Sequence, residues 1–149
     1  MRSAGRDVQS SPFDMLRVRS SENWARCRHY IESALAHSPG LETIEDVERA
    51  IERGSYQVWF GKACCAVTEI AHYVRAEALV VVHGGGDMAE LVNELEPAMC
   101  AFARAQGCTL IMGTGRKGWE RVAAPRGYRF GYVTMVKDLE SPKSISPSP

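Results

Sequence analysis

The spacing of apolar positions predicts two helices in the first third of the chain. Ser20 or Ser21 can cap the first helix, because a serine hydroxyl accepts a hydrogen bond from a free N–H group of the first turn. Thr43, with Asp46 at the third helical position, starts the second helix, and Gly54 ends it. The apolar stripe of the first helix comprises Trp24, Cys27, Tyr30, Ile31, Ala34 and Leu35.

Alternation of apolar and polar positions predicts several strands. Residues 15–18 alternate loosely and suit an edge strand. Residues 55–60, 63–70 and 76–82 follow one another with short turns and predict three antiparallel strands in series. The pair 61–62 places glycine first in a two-residue loop, which favours a type II′ hairpin between the first two of these strands.

The stretch 79–113 combines a strand, a glycine run, a helix and a second strand. A β-branched run ends at Val82, and the glycines 84–86 then predict a break from strand to helix. Asp87, with a glutamate three residues later, is typical of a helix start. The helix is expected to end at Gly107 and the next strand to follow directly, so the stretch forms a βαβ unit with a right-handed crossover.

Pro97 lies inside the helix of this βαβ unit. Proline removes a backbone hydrogen bond in a helix interior and costs about 3 kcal/mol there. We therefore expect a kink or break at residues 93–96, so that the helix consists of two segments.

The remaining segments complete the predicted order. Residues 116–124 predict a short helix and residues 128–139 a terminal strand, whereas residues 1–12 and 140–149 are polar, without periodicity, and are expected to be disordered. The rest of the chain, residues 13–139, is expected to form a single domain. The order β-α-α-β-β-β-α-β-α-β predicts an α/β (α+β) fold in which helices flank a mixed central sheet.

Composition narrows the classes of function. Eighteen basic residues balance eighteen acidic ones in this chain of 149 residues, which argues against general attraction to nucleic acid. No apolar run approaches the roughly 18 residues of a membrane helix, so no membrane association is expected. The five cysteines include the adjacent pair 64–65, which favours reduced thiols in a cytoplasmic protein. Cysteine and histidine spacing predicts no metal site.

The element order, with glycines opening the long helix, resembles the GNAT superfamily of N-acetyltransferases over residues 14–139. The segment Gly-Arg-Lys-Gly-Trp-Glu-Arg at 115–121 and the Gly-Tyr step at 127–128 resemble GNAT-like proteins often encoded by phages and prophages. The resemblance implies acetyl-CoA as co-substrate, with its pantetheine arm between two splayed strands and its pyrophosphate on the glycine amides. The residues implied for these contacts are Val80, Val81, Val82, Gly84, Gly85 and Gly86.

Two functions remain open on this resemblance. One is transfer of an acetyl group to an amine of a small molecule or protein. The other is a catalytically silent phage or prophage protein that binds phage structural proteins, in the cytoplasm or in the phage particle. His83 replaces the cation of the family's pyrophosphate loop, Asp87 adds a carboxylate, and Ala123 stands where a general-acid tyrosine is common. The candidates for acid–base chemistry are Glu69, His72, Glu77, His83, Tyr128 and Tyr132.

The glycine motifs allow other interpretations. The glycines at 84 and 86 fit a dinucleotide fingerprint, but so do those at 113, 115 and 118, and no acidic residue ends the strand 108–112. The glycines 84–86 can equally form a plain tight turn. The Arg116-Lys117 loop can hold a phosphate or a nucleic-acid backbone, or simply be solvated. Trp119 is expected to anchor the short helix to the core.

Overall fold

The structure, a computed structural model, describes residues 21–116 and 118–139. The predicted strand at 15–18, the predicted disorder at 1–12 and 140–149, and Lys117 lie outside the described residues. The strands are β1 (Gln57–Phe60), β2 (Cys64–His72), β3 (Glu77–Gly86) and β4 (Leu110–Gly113). The helices are α1 (Glu22–Leu35), α2 (Ile44–Arg53), the composite α3 (Met88–Glu90, Leu91–Leu95 and Glu96–Ala105) and α4 (Gly118–Ala123), followed by a 3₁₀ turn (Ala124–Arg126).

The four strands form one mixed sheet in the order β1-β2-β3-β4. The pairs β1–β2 and β2–β3 are antiparallel, and β3–β4 is parallel. Helices α1 and α2 cover one face, where Trp24, Ile31, Val47 and Val58 are buried together. Helix α3 covers the other face through a second buried cluster, which comprises Trp59, Cys64, Ala66, Leu79, Leu91, Met99, Phe102, Ala103 and Cys108.

The predicted starts of the first two helices and the predicted end of the second are confirmed. Ser21 accepts a hydrogen bond from the Trp24 N–H at the start of α1. Thr43 and Asp46 form a reciprocal capping box at the start of α2. Gly54 then ends α2 with a φ of 84°, in the left-handed region that favours glycine.

Helix α3 shows a change of helix type rather than a break before Pro97, and the chain stays helical from Met88 to Ala105. Between its first turn and its α-helical part, α3 is a π-helix over Leu91–Leu95. Pro97 occupies the first turn of the α-helical part Glu96–Ala105, where a missing N–H group costs little. The wider helix therefore absorbs the interruption that proline imposes on the hydrogen-bond ladder.

The loop of the β1–β2 hairpin lies one residue later than predicted. The Gly61 N–H donates to the Cys64 carbonyl over 2.9 Å, so the two-residue loop is 62–63 rather than 61–62. Phe60 then pairs with Cys65 at the first position of the ladder. Gly61 therefore lies at the end of the β1–β2 pairing, and the loop residues Lys62 and Ala63 include no glycine.

Side chains from two helices hold this hairpin loop. The Glu90 carboxylate of α3 accepts the N–H groups of Lys62 and Ala63 over 2.5 and 2.8 Å. The Arg26 guanidinium of α1 donates to the carbonyls of Gly61 and Lys62, both over 2.7 Å. These long-range contacts satisfy the loop's polar groups and explain why it needs no special turn residue.

Two further predictions are wrong. The glycines 84–86 are no turn before the helix, because β3 runs through them and pairs with β2 as far as Gly86. Residues 128–139 form neither strand nor helix in the described part of the chain. Instead, the Tyr128 hydroxyl donates to Glu96 of α3 over 3.0 Å, and Arg126 bonds the same carboxylate. The strand pattern beyond Tyr128 finds no ladder partner among the described residues.

Candidate functional site

Strands β3 and β4 separate in the middle of β3. Their parallel pairing runs from Ala78 opposite Leu110 to Val81 opposite Gly113. Beyond this point β4 ends, whereas β3 continues to Gly86. Among the described residues, no strand pairs with this edge of β3 after Val81. We call the region beside this unpaired edge, residues 82–86, the gap.

A β-bulge in β3 lies where its pairing with β4 ends. His83 pairs with Val67 of β2, but Val81 pairs with the next residue, Thr68. Val82 is therefore an extra residue in the ladder. A bulge bends a strand and increases its twist, and this one directly follows the last β3–β4 pair.

The three glycines lie in very different surroundings. A Cβ on Gly85 would lie 2.7 Å from the Tyr30 carbonyl oxygen of α1. Gly86 has a φ of 98°, and its Cβ would collide with backbone of Ala63 in the hairpin loop. A Cβ on Gly84 would lie 3.4 Å from Leu91, an ordinary contact. Close packing therefore requires glycine at two of these positions before any ligand is considered.

The start of α3 is partly occupied by its own carboxylates. Asp87 caps the helix by accepting the Glu90 N–H over 3.1 Å, and its own N–H donates to Ala63. The N–H groups of Met88 and Ala89 follow at positions that have no acceptor within a helix. An anion at this helix start would meet those two N–H groups and the Asp87 carboxylate together.

A buried histidine lies beside the gap with two partners. His83 Nε2 lies 3.1 Å from Glu42 Oε2, and the Tyr56 hydroxyl donates to the same oxygen over 2.7 Å. The side chain of His83 is 9% exposed and that of Glu42 20%. Burial and the Glu42 carboxylate raise the pKa of Tyr56, so its hydroxyl stays protonated.

This arrangement defines the roles of the two imidazole nitrogens. A carboxylate only accepts hydrogen bonds, so Nε2 of His83 carries the hydrogen towards Glu42. His83 directly follows the bulged Val82, so its imidazole lies two residues beyond the last β3–β4 pair.

The structure does not bring the other acid–base candidates to the gap. His72 and Glu77 pair with each other over 2.9 Å where β2 turns into β3. Glu69 lies opposite Val80, on the β2 side of β3. Tyr128 bonds Glu96 of α3, and Tyr132 is exposed. Of the six candidates, His83 is the one that lies on β3 directly beyond its last pair with β4, with the half-buried Glu42 as carboxylate partner.

Sequence reasoning misses Glu42 and Tyr56. The alternating pattern of β1 indicates a core residue at Tyr56, and it does pack against the α1–α2 cluster. Glu42 lies directly before the Thr43 cap, where no local pattern distinguishes it from a solvated loop residue. Only the fold, which brings the α1–α2 loop against β3, reveals the group.

Cys64 and Cys100 do not supply a nucleophile, whereas a hydrogen bond with Cys65 lowers the pKa of Cys27 on α1 to about 7. Burial and the nearby Glu90 carboxylate raise the pKa of Cys64 to about 12. Burial and Glu96 raise the pKa of Cys100 to about 11. Both groups remain neutral thiols at physiological pH, whereas nucleophilic attack requires the thiolate.

Two residues after β4, Arg116 and Trp119, contact other parts of the fold. Trp119 packs on the α3-side cluster near Gly84, so its predicted role as a core anchor is confirmed. Arg116 lies 3.3 Å from His37, just beyond α1, rather than pairing with Glu120. In the described residues, no group of three or more metal-ligating side chains is found, and no helix is long and apolar enough to cross a membrane.

Comparison with known proteins identifies the architecture. No family model matches the chain, and no curated protein matches its sequence. Wild-type TTHA1254 from Thermus thermophilus is similar in structure, with a TM-score of 0.54 and 19% identity over 87% of this chain and 96% of that one. An aminoglycoside acetyltransferase, meta-AAC0020 from an uncultured soil metagenomic sample, solved with sisomicin, has a TM-score of 0.58 and 7% identity over 86% and 93%.

A third similar structure is the Trypanosoma brucei acetyltransferase Tb11.01.2886. Its TM-score is 0.51 and its identity 15%, over 73% of this chain and 88% of that one. Identities this low show a common fold. The predicted α/β (α+β) architecture, a mixed sheet flanked by helices as in GNAT-like acetyltransferases, is therefore confirmed.

Proposed function

We propose that this protein binds acetyl-CoA between β3 and β4 and transfers the acetyl group to an amine of a small molecule or protein. The observation that supports the proposal is the end of the β3–β4 pairing at Val81 and Gly113, beyond which β3 continues without a strand partner on that side among the described residues. Beyond that pair, the edge of β3 offers backbone N–H and C=O groups to a ligand. The amide groups of a pantetheine arm match such an edge as an added strand would.

In this proposal the arm lies along residues 80–82 and the glycines 84–86, and the phosphates lie near the start of α3. The N–H groups of Met88 and Ala89 are the donors that remain after Asp87 caps the helix. Gly84 lacks a side chain on the α3 face, where Leu91 and Trp119 are its nearest neighbours. These contacts orient the thioester towards the bulge at Val82.

His83 is the proposed proton acceptor. The amine nitrogen must lose a proton to attack the thioester carbonyl carbon, and Nδ1 of His83 has the lone pair to take it. Glu42 then stabilises the imidazolium through its bond to Nε2. The C–S bond breaks, the acetyl group stays on the nitrogen, and the coenzyme leaves as a thiolate that is reprotonated.

A second candidate function rests on the start of α3. The carboxylates of Asp87 and Glu90 both lie there, and like charges a few ångström from a pyrophosphate oppose its binding by about 1 to 4 kcal/mol. A GNAT-fold protein without catalytic activity fits this charge pattern. The phage or prophage binding role implied by the sequence resemblance would be one form of it.

Thermal unfolding with acetyl-CoA tests the proposal. Ligand at about one hundred times its Kd adds about 2.7 kcal/mol of stability, which raises Tm by roughly 5 to 10 °C for a chain of this size. Absence of any shift at millimolar acetyl-CoA would exclude the enzyme and leave the silent protein.

An acetyl-transfer assay with a panel of amines tests the role of His83. The rate is measured from the release of free coenzyme A thiol. His83→Ala should lower the rate about a hundredfold or more, with acetyl-CoA affinity unchanged, because the substitution removes the proton acceptor. His72→Ala is the matched control, since that histidine ends β2 and lies opposite Glu77, the first residue of β3. Equal effects of the two variants would contradict the assignment.

A further inference from the structure

Two cysteines meet between α1 and β2 in the interior of the protein. Cys27 lies in the middle of α1 and Cys65 near the start of β2, and both belong to the buried cluster under α1 and α2. The Cys27 sulfur lies 3.7 Å from the carbonyl oxygen of Cys64, the residue directly before Cys65. A hydrogen bond links the thiols of Cys27 and Cys65. The function proposed above uses neither group.

A glycine allows α1 to come this close to the sheet. Gly85 of β3 pairs directly with Cys65 of β2. A Cβ on Gly85 would lie 2.7 Å from the carbonyl oxygen of Tyr30, which is about one turn beyond Cys27 along α1. Helix α1 therefore lies closer to the Cys65–Gly85 pair than any side chain at position 85 would permit. This close packing keeps Cys27 beside Cys65.

The adjacent Cys64 faces away from this pair. Successive residues of a strand point to opposite faces of the sheet. Cys65 belongs to the cluster on the α1 face, whereas Cys64 belongs to the cluster on the α3 face, where its thiol bonds Glu90. Cys64 is therefore a matched comparison, since it is next to Cys65 in sequence and on the opposite face of β2.

We propose that Cys27 and Cys65 are a redox-active pair, which hydrogen peroxide oxidises to a disulfide that joins α1 covalently to β2. The bond is reversible, because a thiol reductant restores both cysteines. The proposal does not depend on the acetyl-CoA site.

The surroundings of the two sulfurs give them different roles. The hydrogen bond from Cys65, assisted by the positive charge of Arg26, lowers the pKa of Cys27 to about 7, so part of Cys27 is thiolate at neutral pH. The same hydrogen bond and burial raise the pKa of Cys65, which stays a thiol. Cys27 is therefore the attacking sulfur, and Cys65 is the one that completes the disulfide.

The oxidation proceeds in two steps. The Cys27 thiolate attacks one peroxide oxygen, the O–O bond breaks, and the hydroxide that leaves takes a proton from solvent to form water. Cys27 is then a sulfenic acid. The Cys65 sulfur attacks the Cys27 sulfur, the S–O bond breaks, and the second hydroxide leaves as water with the Cys65 proton. Two thiols are oxidised to a disulfide, and one peroxide is reduced to two waters.

The hairpin loop 62–63 covers the Cys27 side of the pair. The Cys27 sulfur lies 4.0 Å from the carbonyl oxygen of Gly61 and 3.7 Å from that of Cys64, the two residues that flank this loop. Both cysteines are 0% exposed, so the oxidant must be small and must enter through local opening. Opening of this loop uncovers Cys27 while the sheet stays paired.

Mass spectrometry of the folded full chain after peroxide treatment tests the pair. We expect the chain to lose the mass of two hydrogen atoms and two of its five free thiols, and to regain both after reduction. Trypsin releases Cys27 in a dipeptide with Arg28, and in the oxidised chain this dipeptide should be linked to peptide 63–75. A chain that keeps all five thiols, gains oxygen without a cross-link, or links other cysteines would overturn the proposal.

Peptide 63–75 contains both Cys64 and Cys65, so two variants assign the bond. Cys64→Ser should form the cross-link as wild type does, whereas Cys65→Ser should form none. A cross-link that persists in Cys65→Ser and disappears in Cys64→Ser would overturn the assignment. Circular dichroism checks the fold of both variants, and fragmentation of the linked wild-type peptide identifies the bonded cysteine without any substitution.

Thermal unfolding of the oxidised wild-type chain tests whether the bond fits the native fold. A disulfide that closes the segment between residues 27 and 65 in its native geometry should raise Tm by roughly 5 to 15 °C. A Tm equal to or below that of the reduced chain would overturn the proposal, because the two sulfurs would then have to leave their native positions in order to bond.

Discussion

The two sides of the end of β3 differ sharply. Towards α1 and the hairpin loop, the Tyr30 carbonyl and the Ala63 backbone leave no room for a Cβ on Gly85 or Gly86. Towards β4, the same stretch has no strand partner after Val81 within the described residues. A glycine run is thus packed on one side and open on the other. Gly85 and Gly86 serve packing first, and the bulge at Val82 lies where the pairing with β4 ends.

The largest expected effect is on the packed side. Gly86→Ala should lower the free energy of unfolding by about 2 to 5 kcal/mol, because a left-handed φ costs about 1 to 2 kcal/mol and a backbone collision about as much again or more. Gly107→Ala is the matched control, since Gly107 has a φ of 85° but nothing within 4 Å of its Cβ. Chemical denaturation of both variants separates collision from strain, and equal losses would contradict the packing argument.

The second prediction compares the stability loss at two neighbouring glycines, Gly84 and Gly85. Gly85→Ala should cost about 1 to 3 kcal/mol, because its Cβ meets the Tyr30 carbonyl and α1 must shift. Gly84→Ala should cost less than about 1 kcal/mol, because its nearest neighbour is a leucine methyl at ordinary distance. The same denaturation measurement checks the order, and a Gly84 variant as unstable as the Gly85 variant would refute it.

A smaller effect is expected at the start of α3. Asp87→Asn removes a negative charge but keeps a good helix cap, so stability should change little. Acetyl-CoA affinity should rise about tenfold, since each tenfold step corresponds to about 1.4 kcal/mol of relieved repulsion. Calorimetric titration measures it, with Glu94→Gln as a control for net charge on the same helix. Unchanged affinity would show that phosphates do not approach Asp87.

The smallest effect concerns pH. The N–H groups of Lys62 and Ala63 lower the pKa of Glu90 below its ordinary 4.5. A lowered folded-state pKa stabilises the protein above the unfolded pKa, and this contribution is lost as pH falls through the folded pKa. Glu90→Gln should therefore be less stable than wild type at neutral pH, with the difference shrinking below about pH 4.5. A constant difference in denaturation midpoint across this range would contradict the assignment.

Local signals in the sequence predict those elements that local contacts determine. The capping box of Thr43 and Asp46 and the end at Gly54 lie within one helix, so their geometry follows from nearby residues. The change of helix type before Pro97 also has a local cause, the missing N–H group. The general architecture follows from the order of such elements.

Elements that depend on distant partners cannot be predicted in this way. The glycines 84–86 lie in a strand because Tyr30 and Ala63, remote in sequence, press against them. The carboxylate partner of His83 is Glu42, which the α1–α2 loop brings over β3. Residues 128–139 have the residue pattern of a strand. A strand also needs a neighbouring strand with a free edge, and the residue pattern does not show whether one is available.

The hydrogen bonds from Glu90 and Arg26 to the hairpin loop affect how easily this loop opens locally. Lys62 and Ala63 lie outside the strands, yet their N–H groups bond a helix carboxylate, and Arg26 restrains the loop from the opposite side. Hydrogen exchange at these two amides should therefore be slowed like that of sheet amides, rather than fast like that of an ordinary hairpin tip. Opening of this loop would then break its hydrogen bonds to α1 and to α3 at the same time, although the two helices are far apart in sequence.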